Sequence, residues 1–161
     1  MVRIMTNTEV AKIFSELADM LEMKGENQFK VRAYREAART IKHLPWEVER
    51  MVGEGQNLEE IPGVGEAIAK KIAEIVNTGR LGIHDKLREE FPQGILELLN
   101  VPGIGPRIAM RLYQEAGVTN VDELEAAIKD GRVAGMPRRG DKAAQRMMKQ
   151  IESMRSGERA C

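Results

Sequence analysis

The sequence predicts an all-α protein built from two small helical subdomains, and three observations carry that prediction. Aromatic residues make up only 4% of the 161-residue chain, while the helix formers Ala, Met, Leu and Glu abound. Strand-rich domains lean on aromatic and β-branched residues instead. No stretch alternates apolar and polar residues over a useful length, and apolar residues recur at helical spacing between capping residues and Pro or Gly stops.

The elements follow in order. Thr6-Asn7-Thr8-Glu9 reads as a capping box. Val10, Ile13, Phe14, Leu17 and Leu21 follow at helical spacing, and Gly25 stops the helix. A second helix runs from about Phe29 to His43, before Pro45, and Pro45-Trp46 starts a short third one closed by Gly53 and Gly55. Glu66 to Asn77 is helical and ends at Gly79; His84 to Glu90 is helical and stops at Phe91-Pro92. Gly94 to Asn100 leads to Pro106, which suits a first helical position. Asn120 or Thr119 caps Val121 to Lys129, and Asp141 to Met154 forms the last helix. The Thr78-Gly79-Arg80 break places a soft boundary near residue 80, giving subdomains 1–80 and 81–161.

Composition excludes some classes. Hydrophobic residues are 42% of the chain, enough for a core. No apolar run approaches a membrane span, and no signal-peptide pattern opens the sequence. The lone Cys161 allows no internal disulfide, consistent with a reducing, cytoplasmic setting. Net charge is zero, so any anionic partner must be held by local charge. Such charge gathers at Arg132, Arg138, Arg139, Lys142, Arg146, Lys149 and Arg155 against Asp141 and Glu152. A run of this kind is most simply a solvated face.

Two near-copies of one turn stand forty residues apart. Ile61-Pro62-Gly63-Val64-Gly65 precedes one amphipathic helix, and Val101-Pro102-Gly103-Ile104-Gly105 precedes another. Pro and Gly force a tight turn with a bare backbone. The turn runs into a helix N-terminus, where unpaired amides and a positive dipole end favour phosphate. This is the helix-hairpin-helix pattern, and its duplication points to a nucleic-acid backbone contacted by Gly63, Val64, Gly65, Gly103, Ile104, Gly105 and Arg107. Docking of a protein on the same turns is the competing use. A third, degraded copy is read at Met136-Pro137-Arg138-Arg139-Gly140, which makes Lys71, Arg111 and Arg146 equivalent positions.

Lys71 is the candidate for chemistry. On a helical wheel, Ile68, Ala69, Ile72, Ile75 and Val76 cover one arc. Lys70 points away from it and Lys71 lies at its edge. An edge lysine is partly desolvated with a reachable amine, which Schiff-base chemistry needs. The bland alternative is a lysine snorkelling over the core. On the second helix, Lys30 projects toward the apolar side one turn before Tyr34. Lys30, Tyr34 and Arg35 together could hold a phosphate, or belong to a solvated basic stripe. His43, His84 and Cys161 have no metal-ligand spacing, and His43 suits a helix C-terminus. No nucleotide-binding glycine motif is present, and the methionines read as core filler.

The blocks Glu16-Leu17-Ala18-Asp19-Met20-Leu21, Gly25-Glu26-Asn27, Phe29-Lys30-Val31-Arg32-Ala33-Tyr34-Arg35-Glu36-Ala37-Ala38 and Ile61-Pro62-Gly63-Val64-Gly65 resemble the N-terminal region of family X DNA polymerases. The likeness is nearest to bacterial and archaeal members, more distantly to the DNA polymerase beta type, and covers nearly the whole chain. It implies a helical 5′-deoxyribose-phosphate lyase domain followed by a helical fingers, or DNA-binding, subdomain. Lys71 falls on the Schiff-base lysine, and Lys30, Tyr34 and Arg35 on phosphate-pocket and supporting positions. The carbonyls of Glu59, Ile61 and Val64, and of Leu99, Val101 and Ile104, match those that hold a monovalent cation, Na+ or K+. Ala67 and Glu59 replace lysines of the polymerase beta pattern, and Phe29 replaces a histidine. No paired aspartates follow Met154, so polymerisation by this chain alone is not expected.

The resulting expectation is a monomer, cytoplasmic or nucleoid-associated, that binds gapped or nicked DNA in base excision repair. It removes 5′-deoxyribose phosphate by β-elimination, requires no cofactor, meets repair proteins and has no membrane partner. The alternatives are a non-catalytic DNA-binding module that positions a polymerase or repair partner, and a protein-docking scaffold.

Overall fold

A computed structural model describes residues 5–136 and 140–159, apart from the side chains at 140, 141, 158 and 159. Every regular element among the described residues is helical, as the composition predicts. The chain forms two compact units, Met1–Glu90 and Phe91–Cys161.

The first unit begins with α1 (Asn7–Met23). The Thr6 hydroxyl accepts the Glu9 amide at 3.2 Å and donates to the Glu9 carboxylate at 3.3 Å, so Thr6 caps the helix as its sequence suggests. Next comes α2 (Gln28–Lys42), capped by the Asn27 side chain on the Phe29 amide at 2.8 Å. The third helix, α3, spans Val48–Gly53 and starts later than Pro45-Trp46 suggests. The reason is long-range. Buried Asn7 donates from Nδ2 to the Trp46 carbonyl at 2.6 Å and accepts the Val48 amide at 2.8 Å. A side chain 41 positions away thus satisfies the first helical amide and fixes where the helix begins.

A 3-10 turn at Leu58–Glu60 leads through the first Pro-Gly turn into α4 (Glu66–Thr78). Ile72 and Ile75 of α4 are fully buried in a core that includes Phe14, Leu17, Met20 and Ile41. Full burial of one such aliphatic side chain contributes about 1.5–3 kcal/mol.

The last helix of this unit is α5 (Gly82–Glu89). Buried His84 shares a 2.8 Å hydrogen bond with Glu16 of α1. Lys24 meets Glu90 at 2.9 Å, and the Gly82 amide donates to Glu74 at 2.7 Å. These ties, with buried Leu81 and Leu87, hold α5 in the first unit. The break therefore falls between Glu90 and Phe91, beyond the boundary near residue 80 that the Gly79-Arg80 step suggests.

The second unit contains α6 (Ile95–Leu98), α7 (Pro106–Ala116), α8 (Val121–Lys129) and α9 (Gly140–Arg159). Pro106 occupies the first turn of α7 as expected. Asn120, not Thr119, caps α8, accepting the Glu123 amide at 2.8 Å. Arg155 ties α9 to α8 through Asp122 at 2.6 Å and through Glu125. Ile95, Leu98, Leu112, Leu124 and Ile151 form the core. Residues 137–139 of the degraded third turn lie outside the described residues.

The Glu16–His84 tie has a testable pH signature. The His84 hydrogen bond outweighs partial burial and holds the Glu16 carboxyl below the ordinary glutamate range, with His84, Lys12 and Arg88 charge adding to it. A carboxyl more acidic in the folded chain contributes stability present above its unfolded pKa and lost as pH falls through the folded one. Glu16→Gln should cost about 1 kcal/mol near neutral pH. That difference should shrink between about pH 6 and about pH 3. Half-buried Asp19 shifts upward, because the loss of water around it outweighs its Arg35 hydrogen bond. The variant's difference from wild type, rather than the raw profile, therefore reads the pair. Urea unfolding across that range measures it, and a difference constant with pH would rule out the assigned role.

Candidate nucleic-acid interface and lysine concavity

The two Pro-Gly turns are built alike. Ile61 and Val64 are buried on either side of exposed Pro62 and Gly63, as are Val101 and Ile104 around Pro102 and Gly103. The Val64 amide donates to the Ile61 carbonyl at 3.0 Å, and the Ile104 amide to the Val101 carbonyl at 3.0 Å. Gly63 and Gly103 sit at φ +81° and +89°, where a side chain is strained.

Gly65 and Gly105 pose a different question. They are the N-caps of α4 and α7, extended at φ −93° and −95°, a conformation open to any residue. A Cβ added at either would meet no atom within 4 Å. Neither backbone angle nor internal packing demands glycine there. What glycine does provide is a bare N-cap, with no side-chain hydrogen bond shielding the amides that follow. That arrangement suits an anion approaching from outside. The two N-termini differ in charge and donors: Glu66 opens α4, whereas Pro106, which has no N–H, and exposed Arg107 open α7.

Six residues into α4, Lys71 is half-buried and Lys70 exposed, as the wheel predicts. Lys70 pairs with Glu66 at 3.3 Å. Lys71 makes no ion pair among the described residues, and its Nζ stands 5.9 Å from the Tyr34 ring centroid. Tyr34 is buried and stacked on Phe14, with centroids 6.0 Å apart, so the surface beneath the amine is rigid. Lys71 lines an open concavity of about 500 Å³ with Glu66, Lys70, Glu74, Leu81 and Ile83. Sequence reasoning missed this wall, because Leu81 and Ile83 reach it only through the packing of α5 on α1.

Other expected residues lie elsewhere. Lys30 is exposed rather than core-facing, because residues 28–30 run beyond the core and Val31 is the first buried residue of α2. Arg35 is committed to Asp19 at 2.8 Å and Glu22 at 3.1 Å, clamping α2 to α1. The concavity beside Arg35 is lined from α1 and α2 and is distinct from that of Lys71. Within the basic run, Arg132 bonds Asp130 and the Ala116 carbonyl, and Arg155 bonds α8. Lys142, Arg146 and Lys149 are exposed. Arg111 pairs with Glu115 at 2.8 Å. His43 is the C-cap residue of α2.

The carbonyls of Glu59, Ile61 and Val64, and of Leu99, Val101 and Ile104, occupy matching places in the two turns. In each set the middle carbonyl accepts one amide, which leaves a second lone pair. Neutral oxygens of this kind fit a hard monovalent cation in donor chemistry. Among the described residues no group of three His, Cys, Asp or Glu side chains is placed to hold a metal ion.

Residues 5–81 match the family described as Helix-hairpin-helix domain, and residues 95–153 the one described as SAM-like Helix-hairpin-helix tandem. The chain is thus a helix-hairpin-helix protein in both units. It is 28% identical over 147 residues to the DNA polymerase/3′-5′ exonuclease PolX of Bacillus subtilis (strain 168), covering 91% of this chain and 25% of that protein. It is 29% identical over 131 residues to DNA polymerase lambda of Arabidopsis thaliana, covering 78% of this chain and 24% of that one. Most of the chain is thus similar to one part of each of these two DNA polymerases. It spans about a quarter of the length of these curated relatives.

The two kinds of turn glycine should respond differently to substitution. Gly63→Ala and Gly103→Ala force a side chain to positive φ and should each cost about 1–2 kcal/mol. Gly65→Ala and Gly105→Ala exchange a favoured N-cap residue for a poorer one without backbone strain and should cost less, about 0.5 kcal/mol each. Denaturant midpoints for the four variants test this, and equal losses at all four would show that the N-cap glycines serve the fold.

Proposed function

We propose that this chain binds gapped or nicked DNA through the bare amides of its two turns and removes 5′-deoxyribose phosphate at Lys71. One observation carries the reading: a half-buried lysine with no carboxylate partner among the described residues lines an open concavity, on the helix that the first turn launches. The similarity to the two DNA polymerases and the lysine's place in the family X resemblance support it.

The neutral Lys71 amine attacks C1′ of the ring-opened sugar aldehyde, and loss of water gives an imine. The imine acidifies C2′, a base takes that proton, and the electron pair expels the 3′ phosphate oxygen. Hydrolysis then returns the free lysine and the unsaturated sugar phosphate. Glu66 and Glu74 are the carboxylates that the concavity offers as bases. Arg111 and Arg146, at equivalent places in the other repeats, cannot act so, since arginine retains its proton. The hairpin carbonyls would hold Na+ or K+ beside the turns, and the chemistry at Lys71 requires no cofactor. Repair proteins are the partners this reading implies, and the chain acts as a monomer.

A second reading is a non-catalytic DNA-binding module. Arg35 favours it, being spent on Asp19 and Glu22, as do the carboxylates that share the concavity with Lys71.

Borohydride trapping on DNA carrying a 5′-deoxyribose phosphate separates the readings. Wild type and Lys70→Ala should be trapped covalently. Lys71→Ala should not, while keeping DNA affinity within a few-fold. Equal trapping of wild type and Lys71→Ala would sink the lysine assignment, and no trapping of wild type that still binds DNA would establish the module. Gly65→Val and Gly105→Val should fold yet bind gapped duplex more weakly. Unchanged binding by both would make the turns purely structural.

A further inference from the structure

Building on the DNA-binding reading, we propose that the grip resides mainly in the second unit, where a cleft between the second turn and α9 takes backbone phosphate on Arg146 and Lys149. Pro102 and Gly103 line one side of a concavity of about 370 Å³, and Arg146 and Lys149 of α9 line the other. Buried Ala143 and Met147 form its floor. Arg146 and Lys149 are three residues apart on one helical face, both exposed. Among the described residues no carboxylate lines this cleft. A Cβ at Gly103 would meet nothing within 4 Å, so the turn leaves the approach clear.

The first unit's concavity is a counterexample within the same chain. It holds Lys70 and Lys71 but also Glu66 and Glu74, and Lys70 is already paired with Glu66. Its formal charge cancels, so it attracts phosphate weakly at long range. The main-chain donors have the opposite bias: α4 opens with a full set of amides, whereas Pro106 removes one from α7. Side-chain cations compensate at the second turn for the donor lost there. The labour divides accordingly, with chemistry at Lys71 in the first unit and counterion-releasing contacts in the second.

Salt dependence measures those contacts directly. Each phosphate neutralised on duplex DNA contributes about 0.9 to the slope of log affinity against log salt. The full chain would be titrated against a fluorescent gapped duplex across a KCl series. The Arg146→Ala/Lys149→Ala double variant should flatten the slope by about 2, about 1 per residue. Arg146→Lys should restore most of that residue's share. Lys70→Ala in the first concavity and Lys129→Ala, exposed in the second unit but outside the cleft, should leave the slope near wild type. A double variant with the wild-type slope, or a Lys70→Ala change as large as Arg146→Ala, overturns the proposal while leaving DNA binding intact. Wild type without salt-dependent affinity removes the DNA-binding reading itself.

Discussion

Paired burial on either side of an exposed Pro-Gly is the constraint on which the rest of the structure depends. Ile61 and Val64 are sunk in the first core, and Val101 and Ile104 in the second. The two residues between them in each turn have nowhere to go but outward. Hydrophobic burial, which is non-directional, is thereby converted into a directed backbone loop. The 3.0 Å bond from the fourth residue's amide to the first residue's carbonyl closes that loop in both copies. Helix direction follows at once: α4 and α7 leave the turns with their N-termini facing the solvent that the glycines have left open.

On that scaffold, charge decides what each copy is for. The chain is neutral overall, so its basic residues matter only where acids fail to answer them. Several do have answers: Arg35 on Asp19 and Glu22, Arg111 on Glu115, Arg132 on Asp130, Arg155 on Asp122. An exposed pair such as Arg132 with Asp130 adds little stability, but exposed or partly buried, all of them withdraw guanidinium groups from other use. Of the others, Lys71, Arg146 and Lys149 stand at concavities. Lys71 stands on an aromatic floor, and Arg146 with Lys149 stands opposite a glycine turn. A run of seven cations in the sequence thus overstates the binding surface, because the fold spends part of it on itself.

The helices, caps and turns were legible because each depends on residues close in sequence. Thr6 with Glu9, Asn120 with Glu123, Pro106 at a first turn and the wheel that separates Lys70 from Lys71 are all local events. What escaped was non-local. Asn7 satisfies the first amide of a helix 41 residues on, His84 closes on Glu16 across sixty-eight, and Leu81 and Ile83 reach the Lys71 concavity only because that pair holds α5 in place. Periodicity marks which face of a helix is apolar, and it says nothing about which other helix will cover it. Lys30 shows the same limit from the opposite side. Its spacing to Tyr34 points to the apolar face, but the first turn of α2 outruns the core and the side chain stays in water.

The placement of Lys71 on α4 joins the two halves of the proposed activity in one rigid element. The turn that would hold a phosphate is the N-terminus of this helix, and the amine that would attack a sugar lies six residues along it, about 9 Å up the axis. Buried Ile68, Ile72 and Ile75 fix the helix's rotation, and Tyr34 stacked on Phe14 supports the lysine from below. No loop intervenes between grip and nucleophile, so their separation cannot drift with loop motion. In that proposal Lys71 would need little further organisation of its own: a flexible four-carbon stem on a fixed helix would reach the sugar, while the turn would set where that sugar lies. The same economy explains how a site can dispense with Lys30 and Arg35 as close phosphate partners, provided that the strand is held elsewhere along its length.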